Sequence, residues 1–182
     1  MKITITAFEP FGGFNTNSSY IALSKLNDLN IDRIILPVSY PDAYVVLKES
    51  IQETDFIILL GMAAKRDKIS IEERAKNLLE FKIPDNNNQI IQNRLIDEDS
   101  PSFIYSKVDI DTLIKDLNEE NNLVYKSNDA GSYICNYLYF KVLTNFNVPS
   151  IFIHIPNYQT EQEFEQLNIF LNKLINYIKE KK

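Results

Sequence analysis

The chain has 182 residues, 45% hydrophobic and 24% charged, the balance of an ordinary globular protein with length for one sizeable core. Its formal net charge of −6 argues against nucleic acid as a partner, since binding it needs a basic surface to neutralise phosphates. One cysteine excludes an internal disulfide, and with one histidine it cannot make the usual zinc ligand set; no stretch stays apolar for the ~18 residues of a membrane span.

Residues 2–7 alternate apolar and polar side chains like a strand and lack the long apolar core of a signal peptide, so the cytoplasm is the expected setting. Pro10 and the pair Gly12-Gly13 break this strand. A helix is expected over 19–29, with Ala22, Leu23, Leu26 and Leu29 on its apolar side, then a short strand over 33–37. Residues 42–52 carry Ala43, Val46, Leu47 and Ile51 at helical spacing. Residues 55–60 form an almost wholly apolar run ending at Gly61, the pattern of a strand buried on both faces. Short strands are expected within 69–83, a loop at Pro84-Asp85-Asn86-Asn87-Asn88, and an irregular stretch over 90–107. Then come a helix over 111–119, a strand over 123–127, a helix over 133–145 and a buried strand over 150–155. In the last helix Thr160 and Glu163 have capping-box spacing, and Phe164, Leu167, Phe170, Leu171, Leu174, Ile175 and Ile178 make a core-facing stripe. The lysines of the tail, Lys179, Lys181 and Lys182, suit a solvated helix end. Alternating strands and helices point to an α/β sandwich with a mainly parallel sheet, in one domain spanning 1–182.

The only cysteine and the only histidine both lie where chemistry is easily placed. Cys135 follows the turn at Gly131 and falls in the first turn or so of a helix, where unpaired N–H groups and the helix dipole favour a thiolate. Taken alone it reads more readily as a small buried apolar residue, since free cysteine is usually buried. His154 sits near the end of a buried strand, and ligands collect beyond the carboxyl ends of strands in open α/β sheets. Taken alone it is equally a hydrogen-bonded core histidine. Together they make a possible nucleophile and base. An acid to orient the imidazole is offered by Glu72 and Glu73, which face opposite ways in an extended stretch, and spacing does not choose between them. The turn Phe8-Glu9-Pro10-Phe11-Gly12-Gly13 offers aromatic walls for an apolar pocket; it lacks the glycine pattern of a nucleotide loop, and no cofactor or metal is expected.

Several segments in order resemble the pyroglutamyl peptidase I family. They are Phe8-Glu9-Pro10-Phe11-Gly12-Gly13 with Asn17, Gly61-Met62-Ala63 through Ile69-Ser70-Ile71-Glu72 to Asn77, Ile83-Pro84-Asp85-Asn86, Asp129-Ala130-Gly131-Ser132-Tyr133-Ile134-Cys135-Asn136, and Phe152-Ile153-His154-Ile155-Pro156. The resemblance implies a three-layer α/β/α sandwich and a cysteine exopeptidase that removes an N-terminal pyroglutamyl residue from peptides through a thioester. It implies a triad of Glu72, Cys135 and His154, selecting Glu72 over Glu73 because that residue matches without a gap back to Gly61 and forward to Asn77. It places Phe8, Phe11, Asn17, Val38, Met62, Ile83, Tyr133 and Ile134 at or beside the walls of the lactam pocket. The family often assembles as homo-oligomers. This chain departs from the family pattern at Val38, Met62, Ala64, Lys65, Glu73 and Lys82, and its stretch after His154 is short. A related amidase for another small cyclic or acyl substrate, suggested by Met62 and Val38, and a non-catalytic binding protein of the same fold are the competing readings.

Overall fold

The structure, a computed structural model, describes residues 1–28, 30–118 and 123–181. Its elements are β1 (Ile3–Phe8), α1 (Ser18–Lys25), β2 (Ile31–Leu36), α2 (Asp42–Ser50), β3 (Phe56–Met62), β4 (Ile69–Glu72), β5 (Arg74–Lys76), β6 (Phe103–Tyr105), α3 (Ile110–Leu117), β7 (Val124–Ser127), α4 (Ile134–Asn145), β8 (Ser150–Ile155) and α5 (Glu161–Glu180). Six strands form one sheet in the order β2-β1-β3-β8-β4-β7, and β5 pairs with β6 in a separate antiparallel ribbon. All pairings of the large sheet are parallel except β4 with β8.

The central strands are those whose sequences are apolar on both sides. Every residue of β1, β3 and β8 is buried, because helices cover both faces of the sheet. On one face α1, α3 and α5 pack Ala22, Leu23, Ile110, Leu113, Leu117 and the α5 stripe against Ile3, Ile5, Ile58, Leu60, Ile151 and Ile153. On the other face α2 and α4 cover Ile57, Leu59 and Phe152 with Ala43, Leu47, Leu138, Tyr139 and Phe140. This is the expected three-layer α/β/α sandwich. Each fully buried aliphatic or aromatic side chain contributes roughly 1.5–3 kcal/mol to its hydrophobic stabilisation.

The boundaries differ from the sequence expectation where local hydrogen bonds intervene. Helix α1 begins at Ser18, because Asn17 caps it, accepting from the Ser19 N–H. It ends at Lys25 rather than near 29, since Leu26 is extended and Asp28 accepts from the Asn30 N–H in a turn of its own. Leu29 itself lies outside the described residues. The helix expected over 111–119 is α3, capped by Asp109 and closed at Asn118; residue 119, like Lys182 of the tail, lies outside the described residues. The capping box of Thr160 and Glu163 starts α5 as its spacing indicates. The irregular stretch over 90–107 contains one short strand, β6. Asn77 holds much of the rest: its side chain donates to the Asp97 and Ser100 carbonyls and accepts from the Ile96 and Asp97 N–H groups.

From β1 the chain turns to β2 on one side, whereas from β3 it runs to strands on the other. The carboxyl ends of β1 and β3 therefore flank a switch point, the place where an open α/β sheet forms its cleft. Phe8, Met62 and His154 lie at or next to the carboxyl ends of β1, β3 and β8 around it.

Candidate active site

Strand β8 carries His154 into register with Gly61 of the parallel strand β3 and with Ser70 of the antiparallel strand β4. Residues in register share a face of the sheet, and so do residues two apart on one strand. Gly61, Ser70, Glu72, Phe152 and His154 therefore all point toward the layer containing α4. His154 Nδ1 lies 2.8 Å from Glu72 Oε1, with both side chains almost wholly out of solvent. A carboxylate on Nδ1 fixes that nitrogen as the N–H donor and leaves Nε2 as the lone-pair nitrogen.

Cys135 reaches the same face from above. Gly131 turns the chain from β7 toward α4 with φ of +83°, a conformation that suits glycine. Tyr133 is the N-cap of α4, so Cys135 sits in the first helical turn. Asn136 pins that turn to the β5 segment, accepting from the Lys76 N–H and donating to the Lys76 and Leu78 carbonyls. The Cys135 sulfur lies 3.0 Å from where a Cβ on Gly61 would stand, and Gly61 is the cross-strand neighbour of His154. The absence of a side chain at Gly61 thus leaves room for the Cys135 sulfur over the strand position that pairs with His154. The adjacent carboxylates part where β4 ends: Glu72, its last residue, is buried at the histidine, and Glu73, in the bend before β5, pairs with Lys126 at 3.5 Å.

The electrostatics assign the resting charges. Burial pushes the Glu72 carboxyl up, but the hydrogen bond from His154 and the positive charge of Arg66 more than offset it, so its pKa stands below the ordinary value. The group is therefore a carboxylate. Burial, reinforced by the negative charge of Glu72, pushes the Cys135 thiol up to about 12 despite the opposing charge of Arg66. The residue keeps part of its surface open, while its sulfur is hemmed in over Gly61. The expected place in the first turn is occupied, but burial there works against the thiolate that the helix start would favour.

Residues 1–170 match the family model described as pyroglutamyl peptidase. The chain belongs to the pyroglutamyl peptidase family and is a cysteine peptidase. It is 34% identical to pyrrolidone-carboxylate peptidase 1 of Caldanaerobacter subterraneus subsp. tengcongensis, over 98% of this chain and 93% of that protein. With the pyrrolidone-carboxylate peptidase of Pyrococcus furiosus the identity is 35%, over 92% and 86% of the two. Among solved structures, pyrrolidone carboxyl peptidase from Fervidobacterium islandicum superposes with a TM-score of 0.86 at 28% identity, covering 99% of each chain. Pyroglutamyl peptidase I of Bacillus amyloliquefaciens gives 0.86 at 27% identity, over 95% of this chain and 94% of that one.

The residues that the family resemblance places around the lactam pocket fall into three groups. Phe11, Tyr133 and Ile83 lie near one another: the Phe11 and Tyr133 rings are 6.1 Å apart, the Tyr133 hydroxyl donates to the Pro84 carbonyl at 3.0 Å, and Ile83 Cδ1 would lie 3.3 Å from a Cβ on Gly12. Phe8, Val38, Met62 and Ile134 are buried, Phe8 and Met62 at the carboxyl ends of β1 and β3 and Ile134 at the start of α4. Asn17 is apart from both. Its amide donates to the Glu9 carbonyl and its oxygen accepts from the Ser19 N–H and hydroxyl, so it anchors the loop that bears Phe11.

Sequence reasoning missed Arg66, Tyr139 and Phe81. Arg66 sits in a run of charges, Lys65-Arg66-Asp67-Lys68, that reads as solvated surface, yet its guanidinium turns inward to Glu72 at 2.5 Å. Tyr139 is buried on α4 and donates its hydroxyl to the Glu72 carbonyl at 2.9 Å. Phe81 packs edge-on to Tyr133 with centroids 4.9 Å apart. The spacing of Tyr139, four residues beyond Cys135 on a helix, was the one available signal for these three.

Proposed function

We propose that this chain removes the N-terminal pyroglutamyl residue from peptides, with Cys135 as nucleophile, His154 as base and acid, and Glu72 as the group that orients the imidazole. The observation that carries this reading is the hydrogen bond between His154 Nδ1 and Glu72 Oε1 at 2.8 Å, made on the face where the Cys135 sulfur overhangs Gly61. The names of the relatives support the substrate class. As the sulfur adds to the pyroglutamyl carbonyl carbon, its proton passes to His154 Nε2. Collapse of the tetrahedral adduct breaks the C–N bond, and the same proton goes to the leaving amine. Water then adds to the thioester with His154 again as base; pyroglutamate departs and the proton returns to sulfur. The N–H groups of the first turn of α4, ahead of the first bond from the Tyr137 N–H to the Tyr133 carbonyl, are available donors for the oxyanion.

The mouth formed by Phe11, Ile83 and Tyr133, with Phe8, Val38, Met62 and Ile134 beneath, bounds the flat lactam ring in this reading. Residues 1–182 act as one catalytic domain, since both helix layers pack on a single sheet. A nucleophile that must stay a reduced thiol suits the cytoplasm. The discriminating experiment offers purified protein a pyroglutamyl amide, a prolyl amide and an acetylated amide of the same leaving group. Preferred release from the pyroglutamyl amide supports the reading; preference for either other amide contradicts it.

A further inference from the structure

Arg66 lies in the segment between β3 and β4, outside the set of residues assigned above to the reaction. Its surroundings are unlike those of a surface arginine. One terminal nitrogen donates to Glu72 Oε1 at 2.5 Å and to the Ser70 hydroxyl. The other donates to the Asp129 carbonyl at 2.8 Å and reaches the Ser127 hydroxyl at 3.4 Å. Its side chain is 19% exposed, and that of its partner Glu72 is fully buried.

Two features give this contact a consequence for catalysis. Glu72 Oε1 accepts from both Arg66 and His154, while Oε2 makes no hydrogen bond to the protein among the described residues. The carboxylate cannot turn without giving up both bonds, so the arginine fixes the oxygen that fixes the imidazole. The second feature is the Asp129 carbonyl. Asp129 belongs to the loop that leads from β7 to the nucleophile: its carboxylate accepts from the Gly131 N–H at 3.0 Å and pairs with Lys76 at 2.6 Å. One guanidinium therefore spans the acid on β4 and the loop that presents Cys135. A lysine, with a single nitrogen, cannot reach both sides in this way.

We infer that Arg66 is a positioning residue, a clamp that holds the Glu72 carboxylate against His154 and ties it to the loop presenting Cys135. The inference rests on the proposed triad. The charged and polar groups facing Glu72 are His154 from β8, Cys135 and the Tyr139 hydroxyl from α4, Ser127 and the Asp129 carbonyl from β7 and its loop, and Ser70 on its own strand.

The test uses the single histidine. Imidazole ¹⁵N spectra of ¹⁵N-histidine-labelled wild type, Arg66→Gln and Arg66→Lys report the tautomer of one ring without any substrate. In the wild type the Nδ1–H form is expected to dominate; in Arg66→Gln the Nε2–H form gains, and Arg66→Lys falls between them. Release from a pyroglutamyl amide is expected to drop roughly tenfold to a hundredfold in kcat in Arg66→Gln, the scale seen when outer-shell partners are lost. KM should move far less, and the loss should be much smaller when Glu72→Gln is already present. Removing Arg66 leaves a buried carboxylate short of a partner, so Arg66→Lys carries the comparison where Arg66→Gln does not fold. A wild-type imidazole spectrum in the variant, or a loss of kcat that adds fully to that of Glu72→Gln, overturns the inference. A folded wild type that releases no pyroglutamate sinks the functional reading instead and leaves the imidazole spectra to decide this one.

Discussion

Glu72 reaches His154 across a diagonal: the carboxylate bonds to Nδ1 at 2.8 Å, although its register partner on β8 is Phe152. Strand β4 runs antiparallel to β8, so Ser70 stands opposite the histidine and Glu72 comes two residues further along, on the same face. The reversed strand thereby sets an acid beside the ring while the end of the parallel strand β3 stays open for Cys135.

The two neighbouring carboxylates should behave differently. Glu72→Gln removes the charge that holds the Nδ1–H tautomer, and kcat for pyroglutamyl amide release should fall by roughly a thousandfold or more, as when a triad carboxylate is made an amide. Glu73→Gln loses only a partly exposed contact to Lys126 and should change kcat by less than about threefold. Steady-state kinetics on both variants check this; equal losses would contradict the assignment.

Cys135 should react as a protected thiol. With its pKa raised to about 12, the rate of alkylation by iodoacetamide in the free protein should keep climbing above pH ~9. A preformed thiolate would instead level off near neutral pH. Labelling rates measured across that range, with loss of activity followed in parallel, distinguish the two.

Gly61→Ala should damage fold and activity together. The added methyl would stand 2.7 Å from Phe152 Cζ and 3.0 Å from the Cys135 sulfur, and Phe152 is a packed ring with little room to retreat. The crowding should cost about 1–3 kcal/mol in urea unfolding. The kcat of the protein that remains folded should also fall, because the sulfur is displaced. A variant as stable and as active as the wild type would show that the close approach is not needed.

Acid should loosen the fold partly through Glu72. Its folded pKa lies below the ordinary 4.5, so the carboxylate adds stability that is present above 4.5 and is lost as pH falls through the folded value. Unfolding free energy of the wild type should therefore drop on acidification below pH 4.5 more steeply than that of Glu72→Gln. Urea titrations at a series of acidic pH values measure the two slopes; parallel curves would contradict the linkage.

Much of this arrangement was legible in the sequence, for physical reasons. A run such as Phe56-Ile57-Ile58-Leu59-Leu60-Gly61 is apolar on both sides, and only a central strand covered on both faces can use it. The turn at Gly131 and the capping box of Thr160 and Glu163 mark helix starts through local geometry that needs no tertiary context. Strand direction has no such local mark, so the reversal of β4 was not visible, and with it the diagonal that selects Glu72 over Glu73. Arg66 was hidden for a related reason: its neighbours Lys65, Asp67 and Lys68 are charged, and only the fold shows that one member of the run turns inward. The short span of α1 depended on the Asp28 turn and on Arg33, whose guanidinium donates to the Leu26 and Asp28 carbonyls from a strand away.

The most direct test is release of a fluorescent amine from its pyroglutamyl amide by wild type, Cys135→Ala and His154→Ala, each first shown to be folded. Steady release by the wild type that vanishes in both variants is the predicted result. Release that survives the loss of either side chain at a comparable rate would contradict it.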